Sequence, residues 1–266
     1  MDGNGRWARS RGLPRLAGHH AGAGSVRKVV ESAPDLGIKI LTLYAFSSDN
    51  WKRPIGEVRG LMRLFRAHLA SETPELQKNG VRLRVIGRRD RLPDEVLKAI
   101  DDAERATSRG RRLELRVAVD YSARDTLLAA IRQARSPEAA TRGGFERVLG
   151  AAMNLPEATS DVDLLIRTGG EQRLSDFMLW ECCYAEMLFS PKHWPEFSGV
   201  DLAAAVAEFQ HRERRFGTVP EVAAARAEQV APQSVGDAEE EEIAVSVGGD
   251  AEANDAPTAY VAAPHE

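Results

Sequence analysis

Cysteine is nearly missing from this sequence of 266 residues: Cys182 and Cys183 are the only two, and they are adjacent. Neighbouring thiols supply neither a disulfide framework nor a four-ligand zinc site, which excludes stapled secreted domains and zinc fingers. Aromatic residues make up only 6%. The basic loops therefore have few rings on which bases could stack, and a nucleic-acid partner is not expected. No apolar run approaches the roughly 20 residues that span a bilayer, and no secretory signal opens the sequence. Three phosphate and nucleophile signatures are missing as well. There is no Gly-x-x-x-x-Gly-Lys-Ser/Thr loop, no Gly-x-Gly-x-x-Gly fingerprint and no Gly-x-Ser-x-Gly elbow.

What is there suits a globular protein. The sequence is 43% hydrophobic and 29% charged, and long enough for a sizeable core. The net charge of -4 conceals two halves. Residues 221–266 hold eleven acids and one base, which leaves 29 acids against 35 bases in residues 1–220. The acidic tail lacks a sustained apolar period and is expected to be disordered, with a short helix near 220–230. The mildly basic body suits anionic substrates or an anionic surface.

Within the body, short β-branched runs at 38–46, 81–87, 113–120 and 162–167 predict buried strands. Amphipathic stripes between them predict helices, one from Val26 to Ala33 and one from Val58 to Leu69, with others over 97–106, 126–135 and 202–216. This alternation predicts a single α/β domain over 1–220, with a mostly parallel central sheet flanked by helices.

Several loops hold groups suited to anions. Asp2-Gly3-Asn4-Gly5-Arg6 pairs a carboxylate with flexible glycines and a guanidinium, and is also a strong turn signal. Arg9, Arg11, Arg15, His19 and His20 follow, ahead of a helix expected to begin near Ser25. His19 and His20 are adjacent and do not converge on one metal ion without further ligands. Ser47-Ser48-Asp49-Asn50-Trp51-Lys52-Arg53-Pro54 follows a strand, where a site rim is expected, and Pro54 suits a helix start. Arg167-Thr168-Gly169-Gly170-Glu171-Gln172-Arg173-Leu174-Ser175 repeats the glycine–arginine theme. Glu186 stands among Met187, Leu188 and Phe189 and needs a partner, for which a divalent ion or an arginine serves equally. Two anion sites with separated acids suggest diphosphate displacement or phosphoryl transfer, and spacing alone does not separate these.

Taken in order, these segments resemble the cis-prenyltransferase family. The resemblance rests on Met1-Asp2-Gly3-Asn4-Gly5-Arg6-Trp7-Ala8, Gly18-His19 with Ala21-Gly22, residues 42–51, Arg53-Pro54, residues 163–175, Trp180, Tyr184-Ala185-Glu186 and Arg212-Glu213-Arg214-Arg215-Phe216-Gly217. It implies an α/β fold with a hydrophobic tunnel, and Mg²⁺-dependent condensation of isopentenyl diphosphate onto an allylic diphosphate, typically farnesyl diphosphate. By the same resemblance, Asp2 and Glu186 are metal ligands and Asp2 and Asn50 are catalytic. Gly3, Asn4, Gly5, Arg6, Trp7, Arg15, His19, Phe46, Ser47, Trp51 and Arg53 face the allylic substrate, and Arg167, Arg173 and Ser175 the isopentenyl diphosphate. A homodimer is implied, with residues 212–217 toward its interface. So is a cytoplasmic location, with peripheral contact at the inner face of the plasma membrane for product release. The implied product is a long polyprenyl diphosphate of the undecaprenyl class, and small Ala45 leaves tunnel room for it. A short-chain or irregular synthase and a silent scaffold subunit are the alternatives; the scaffold would have lost the Asp2 or Arg167 loop, and both are intact.

Three departures from the family pattern stand out. A strand ahead of Asp-Gly-Asn is usual, whereas this sequence starts at that Met; a start codon further upstream is the preferred explanation. Without that strand, one sheet edge would be exposed and Asp2 would lie on a fraying terminus. Asp120 and Ala123 stand where the family more often has Asn and Gly. Asp176 stands where Asn is frequent.

Overall fold

The computed structural model describes residues 1–212 and, as backbone, the strand at 259–262. Contacts divide the chain into one unit of Met1–Phe209 with Ala256–Glu266, which holds everything below, and a second of Gln210–Asp255. The boundary expected at 220, the helix expected near 220–230 and the interface segment at 213–217 lie outside the described residues.

The four expected strands form close to where they were read. They are β1 (Ile40–Ser47), β2 (Val81–Ile86), β3 (Leu113–Tyr121) and β4 (Leu164–Arg167), joined by β5 (Glu186–Phe189) and β6 (Ala259–Ala262). The sheet order is β2-β3-β1-β6-β4-β5, with every pair parallel. Parallel sheets are covered on both faces, so their strands are mostly apolar. Leu41, Leu43 and Tyr44 on β1 and Leu115 on β3 accordingly lie in the core, as do Leu165 and Ile166 on β4.

Helices cover the sheet: α1 (Asn4–Arg9), α2 (Arg15–Ser32), α3 (Ile55–Lys78), α4 (Asp94–Ala106), α5 (Ala123–Gln133), α6 (Arg142–Ala152) and α7 (Gly199–His211). Pro54 stands just ahead of α3 and presets its first turn. In α4 Asp94 and Glu95 occupy the positive end and Arg105 the negative end, complementing the helix dipole.

Two expectations need correction. The helix expected near Ser25 begins ten residues earlier, at Arg15, so Gly18 and Gly22 lie inside it. A side chain at either glycine would strike Asn4, so they let α1 pack directly on α2 despite their poor helix propensity. The expected bare edge is also not found. The slot is central, between β1 and β4, and Ala259–Ala262 from the far end of the chain fills it, pairing with both neighbours. Nor is Asp2 on a fraying terminus, since Met1 and Asp2 are both buried.

Candidate active site

In parallel α/β sheets, ligands gather beyond the carboxyl ends of the strands, and three such ends meet here. Thr168 follows β4 and grips the Asp2 backbone twice: its Oγ1 accepts from the Asp2 N–H at 2.8 Å and donates to the Asp2 carbonyl at 3.0 Å. The Trp194 N–H donates to that same carbonyl. The Asp2 carboxylate is thereby held between two guanidiniums. Arg6 Nη2 donates to Oδ1 and Arg167 Nη2 to Oδ2, each at 3.0 Å. Arg6 also donates to the Gly169 carbonyl at 2.7 Å. Gly169 has φ +89°, and a Cβ there would lie 2.9 Å from Arg6 Nη2 and 3.1 Å from the Asp2 carboxyl carbon. Only glycine meets both demands.

Arg167 is buried to 1% exposure and donates to Ser175 Oγ at 2.8 Å and to the Arg173 carbonyl. Arg173 itself is half-exposed and paired with Glu171 at 2.5 Å. The 167–175 loop thus brings Arg167 and Ser175 together, while the Arg173 side chain points outward toward solvent.

A second cluster sits where α2 meets α3. Glu57 Oε1 lies 3.0 Å from Arg53 Nη1 and 3.5 Å from Arg15 Nε. His19 is beside them, and burial, reinforced by Arg53, pushes its pKa down to about 4, so its imidazole is neutral at pH 7. Burial also lowers the pKa of Arg53. Among the described residues, Arg15 Nε, Arg53 Nε, Arg167 Nε and His19 Nε2 are buried without a hydrogen-bond partner. An orphaned buried donor costs about 1–3 kcal/mol. Three of these atoms, on Arg15, His19 and Arg53, belong to one cluster at the start of α2 and ahead of α3, where an anion would satisfy them.

One cavity runs from the Asp2–Arg6 loop and the Arg15–His19–Arg53 cluster into the core, and Arg167, Arg173 and Ser175 are not among its lining residues. It holds about 220 Å³ and is lined at one end by Asp2, Gly3, Asn4, Gly5, Arg6, Arg15, His19, Asn50 and Arg53. Elsewhere its walls come from α2, α3 and the strands β1, β2 and β3. A bulge in β1 between Tyr44 and Phe46 turns Ala45, Phe46 and Ser47 toward it. Asn50 is buried, and its Oδ1 accepts from the Ser47 N–H at 3.0 Å, which fixes the loop after β1.

Not every expected residue reaches the cavity. Trp51 packs edge-on behind Phe46, with ring centroids 5.2 Å apart. Trp7 lies beneath Arg11, 4.4 Å from its guanidinium carbon, and is absent from the cavity lining. Glu186 begins β5 opposite Leu164, at the far end of β4 from Thr168. Four residues of strand, about 13 Å, therefore separate its level from that of Asp2. Among the described residues, no group of three or more His, Cys, Asp or Glu side chains converges as a metal cage. Sequence reasoning missed Thr168, Trp194 and Glu57 as site residues. Glu57 had a signal, standing four residues after Arg53 in a helix, whereas Trp194 had none.

The two aspartates that depart from the family pattern find partners. Asp120 is fully buried at φ +50° and accepts from Ser48 Oγ at 2.9 Å and from Arg91 through both oxygens. Asp176, at φ +58°, accepts from Ser122 Oγ and from the Arg124 N–H, capping α5. Ala123 is the first residue of that helix and needs no glycine conformation.

The family model described as "Putative undecaprenyl diphosphate synthase" matches residues 1–217. Isoprenyl transferase 1 of Bradyrhizobium diazoefficiens is 57% identical over 217 residues, covering 82% of this chain and 87% of its own. The isoprenyl transferase of Aquifex pyrophilus is 46% identical over 82% and 94% respectively. Among solved structures, lavandulyl diphosphate synthase from Lavandula x intermedia, in complex with dimethylallyl diphosphate, is 34% identical. It has a TM-score of 0.75 and covers 82% of this chain and 95% of that one. A probable undecaprenyl diphosphate synthase from Campylobacter jejuni gives 35% identity and a TM-score of 0.66, over 75% and 93%. With a family match across four-fifths of its length and an arginine-lined pole opening onto an apolar cavity, the chain belongs to the cis-prenyltransferase family and is an isoprenyl transferase.

Proposed function

We propose that this enzyme condenses isopentenyl diphosphate repeatedly onto farnesyl diphosphate and releases a long polyprenyl diphosphate of the undecaprenyl class. The observation that carries this reading is the continuity of one cavity from the arginine pole to an apolar lining. A charged head and a growing hydrocarbon tail are the two ends of one substrate. Gly3, Asn4, Gly5, Arg6, Arg15, His19 and Arg53 take the allylic diphosphate, and Arg167, Ser175 and Arg173 that of isopentenyl diphosphate. The isopentenyl double bond attacks allylic C1, the C1–O bond breaks and inorganic diphosphate leaves. Loss of a proton from the added unit then forms the new cis double bond, with Asn50 beside that proton. The departing diphosphate is the base that can take that proton, and the guanidiniums stabilise the charge that builds on it as it leaves.

Bound Mg²⁺ supplies further charge neutralisation on that diphosphate. The residues fit it in part. Mg²⁺ is commonly held by one or two carboxylates with phosphate oxygens, and Asp2 serves as one, handing the hydrogen bonds of Arg6 and Arg167 to substrate. Glu186 does not fit the same ion within one chain. The enzyme works as a cytoplasmic homodimer that touches the membrane only to release product. No helix among the described residues is long and apolar enough to cross a membrane.

A short-chain or irregular synthase is the second reading, favoured by the likeness to lavandulyl diphosphate synthase. Product-length chromatography with Mg²⁺, farnesyl diphosphate and labelled isopentenyl diphosphate separates the two. A ladder of products reaching undecaprenyl length supports the first reading. A single short or branched product, strongest with dimethylallyl diphosphate, supports the second.

A further inference from the structure

The cavity has a second polar end that the condensation chemistry does not use. Arg27 on α2 and Glu72 on α3 both line it. They meet through two hydrogen bonds, Arg27 Nε to Glu72 Oε2 at 3.0 Å and Nη2 to Oε1 at 2.6 Å. Arg15 and Glu57 tie the same two helices at the diphosphate end. The two ties are twelve residues apart on α2 and fifteen on α3. The helices therefore run side by side in the same direction, with the ties about 18–22 Å apart at about 1.5 Å per residue. Between them the wall is mostly apolar, from Ala23 and Val26 on α2 and Leu61, Phe65 and Leu69 on α3. About 220 Å³ is less than the roughly 300–1,000 Å³ of pockets that hold drug-sized ligands. A polyprenyl chain fills such a space early, and the Arg27–Glu72 pair stands at the end away from the diphosphate groups.

Three features loosen α3 at that end. Pro74 lies inside the helix, where it can offer no N–H to the carbonyl of Ala70. Thr73 Oγ1 donates to the Leu69 carbonyl, a back-bond that bends helices. His68, one turn before Glu72, has a buried Nε2 without a hydrogen-bond partner among the described residues, and it lines the cavity. Its ring lies 6.0 Å from that of His20 on α2.

We propose that the Arg27–Glu72 pair is a latch on the far mouth of the tunnel, and that α3 hinges at 69–74 to release a chain that outgrows it. Residues 27 and 72 would then be determinants of product length, remote from the reacting atoms. This rests on the elongation reading above, so the test includes a readout free of turnover. n-Alkyl phosphates of increasing length, kept below their micelle concentrations, are titrated calorimetrically into the full-length enzyme. Affinity rises about fourfold per methylene while the chain stays inside. Past the length that reaches the latch, wild-type affinity falls by about fivefold, the weight of a partly exposed ion pair. In Arg27→Ala and Glu72→Ala it levels off instead, and the swap Arg27→Glu with Glu72→Arg restores the fall. The same profile in all four proteins, or a wild-type profile with no fall, overturns the latch. The product ladder is then compared in the same proteins, where the single variants are expected to lengthen the mean product. A shifted binding profile with no product in any of them keeps the latch as a limit on bound chain length, while the elongation reading fails.

Discussion

Arg167 Nη2 lies 3.0 Å from Asp2 Oδ2, a buried pair joining residues 165 positions apart. The contact locks the end of β4 to the start of the chain, and so couples the 167–175 loop to the Asp2–Arg6 loop. Arg6 completes the arrangement on the other carboxylate oxygen. The Asp2 carboxylate is thus satisfied from both sides by guanidinium donors.

Removing one partner of a buried pair leaves the other uncompensated, at a cost of roughly 3–5 kcal/mol. Asp2→Ala is expected to lower the denaturation midpoint markedly and to abolish condensation. Asp2→Asn retains volume and one acceptor, so the fold should persist while kcat/KM falls about 10²–10³-fold. Asp2→Asn with wild-type activity would show that the carboxylate charge has no part in catalysis.

His19 yields a pH signature. Its pKa falls from 6.5 to about 4 on folding, chiefly through burial. Between those values the unfolded chain binds a proton that the folded chain does not, so stability drops as pH falls from 6.5 toward 4. The full contribution is about 3 kcal/mol. Urea midpoints across this window should decline more steeply for wild type than for His19→Gln. Parallel declines would mean that other groups dominate.

Gly169→Ala combines an unfavourable φ of +89° with contacts at 2.9 and 3.1 Å. Each source of strain costs about 1–3 kcal/mol. Thermal scans should show a clear loss of stability, with activity reduced because Arg6 and Asp2 must shift. Gly170→Ala also has positive φ but meets no neighbour within 4 Å, and serves as the control.

The strand at 259–262 bridges β1 and β4, so without it the sheet is two halves, β2-β3-β1 and β4-β5. Truncation after Asp255 is expected to lower Tm by several degrees, since about 1 kcal/mol corresponds to some 2–4 °C at this size. An unchanged Tm would show that β6 adds nothing to the sheet.

Much of this was legible in residue order. The strand runs at 38–46, 81–87 and 113–120 combine β-branched with other apolar residues and are largely buried, so local pattern and tertiary burial agree. The Asp2 and Arg167 loops were legible because glycine and arginine side by side have few uses other than turns and anions. Long-range packing was not. The start of α2 was misread because Gly18 and Gly22 look like breakers until α1 is laid across them. β6 was unreadable because a four-residue strand in an acidic tail has no period of its own, and only the gap between β1 and β4 gives it meaning. Asp120 and Asp176 looked like liabilities in sequence, and their partners Arg91 and Ser122 become visible only once the loops meet.

The account's central claim is cis-condensation at the Asp2–Arg167 pole. Single-turnover reaction of the enzyme, preloaded with farnesyl diphosphate labelled at C1, with excess isopentenyl diphosphate tests it most directly, the new bond being read by NMR. The label is expected in an internal methylene bonded to C4 of the added unit, with the C2=C3 double bond of that unit Z, and the product is expected to form about 10²–10³-fold more slowly in Asp2→Asn than in wild type. An E double bond in the added unit, or label left on unextended farnesyl diphosphate while isopentenyl diphosphate is consumed, would contradict it.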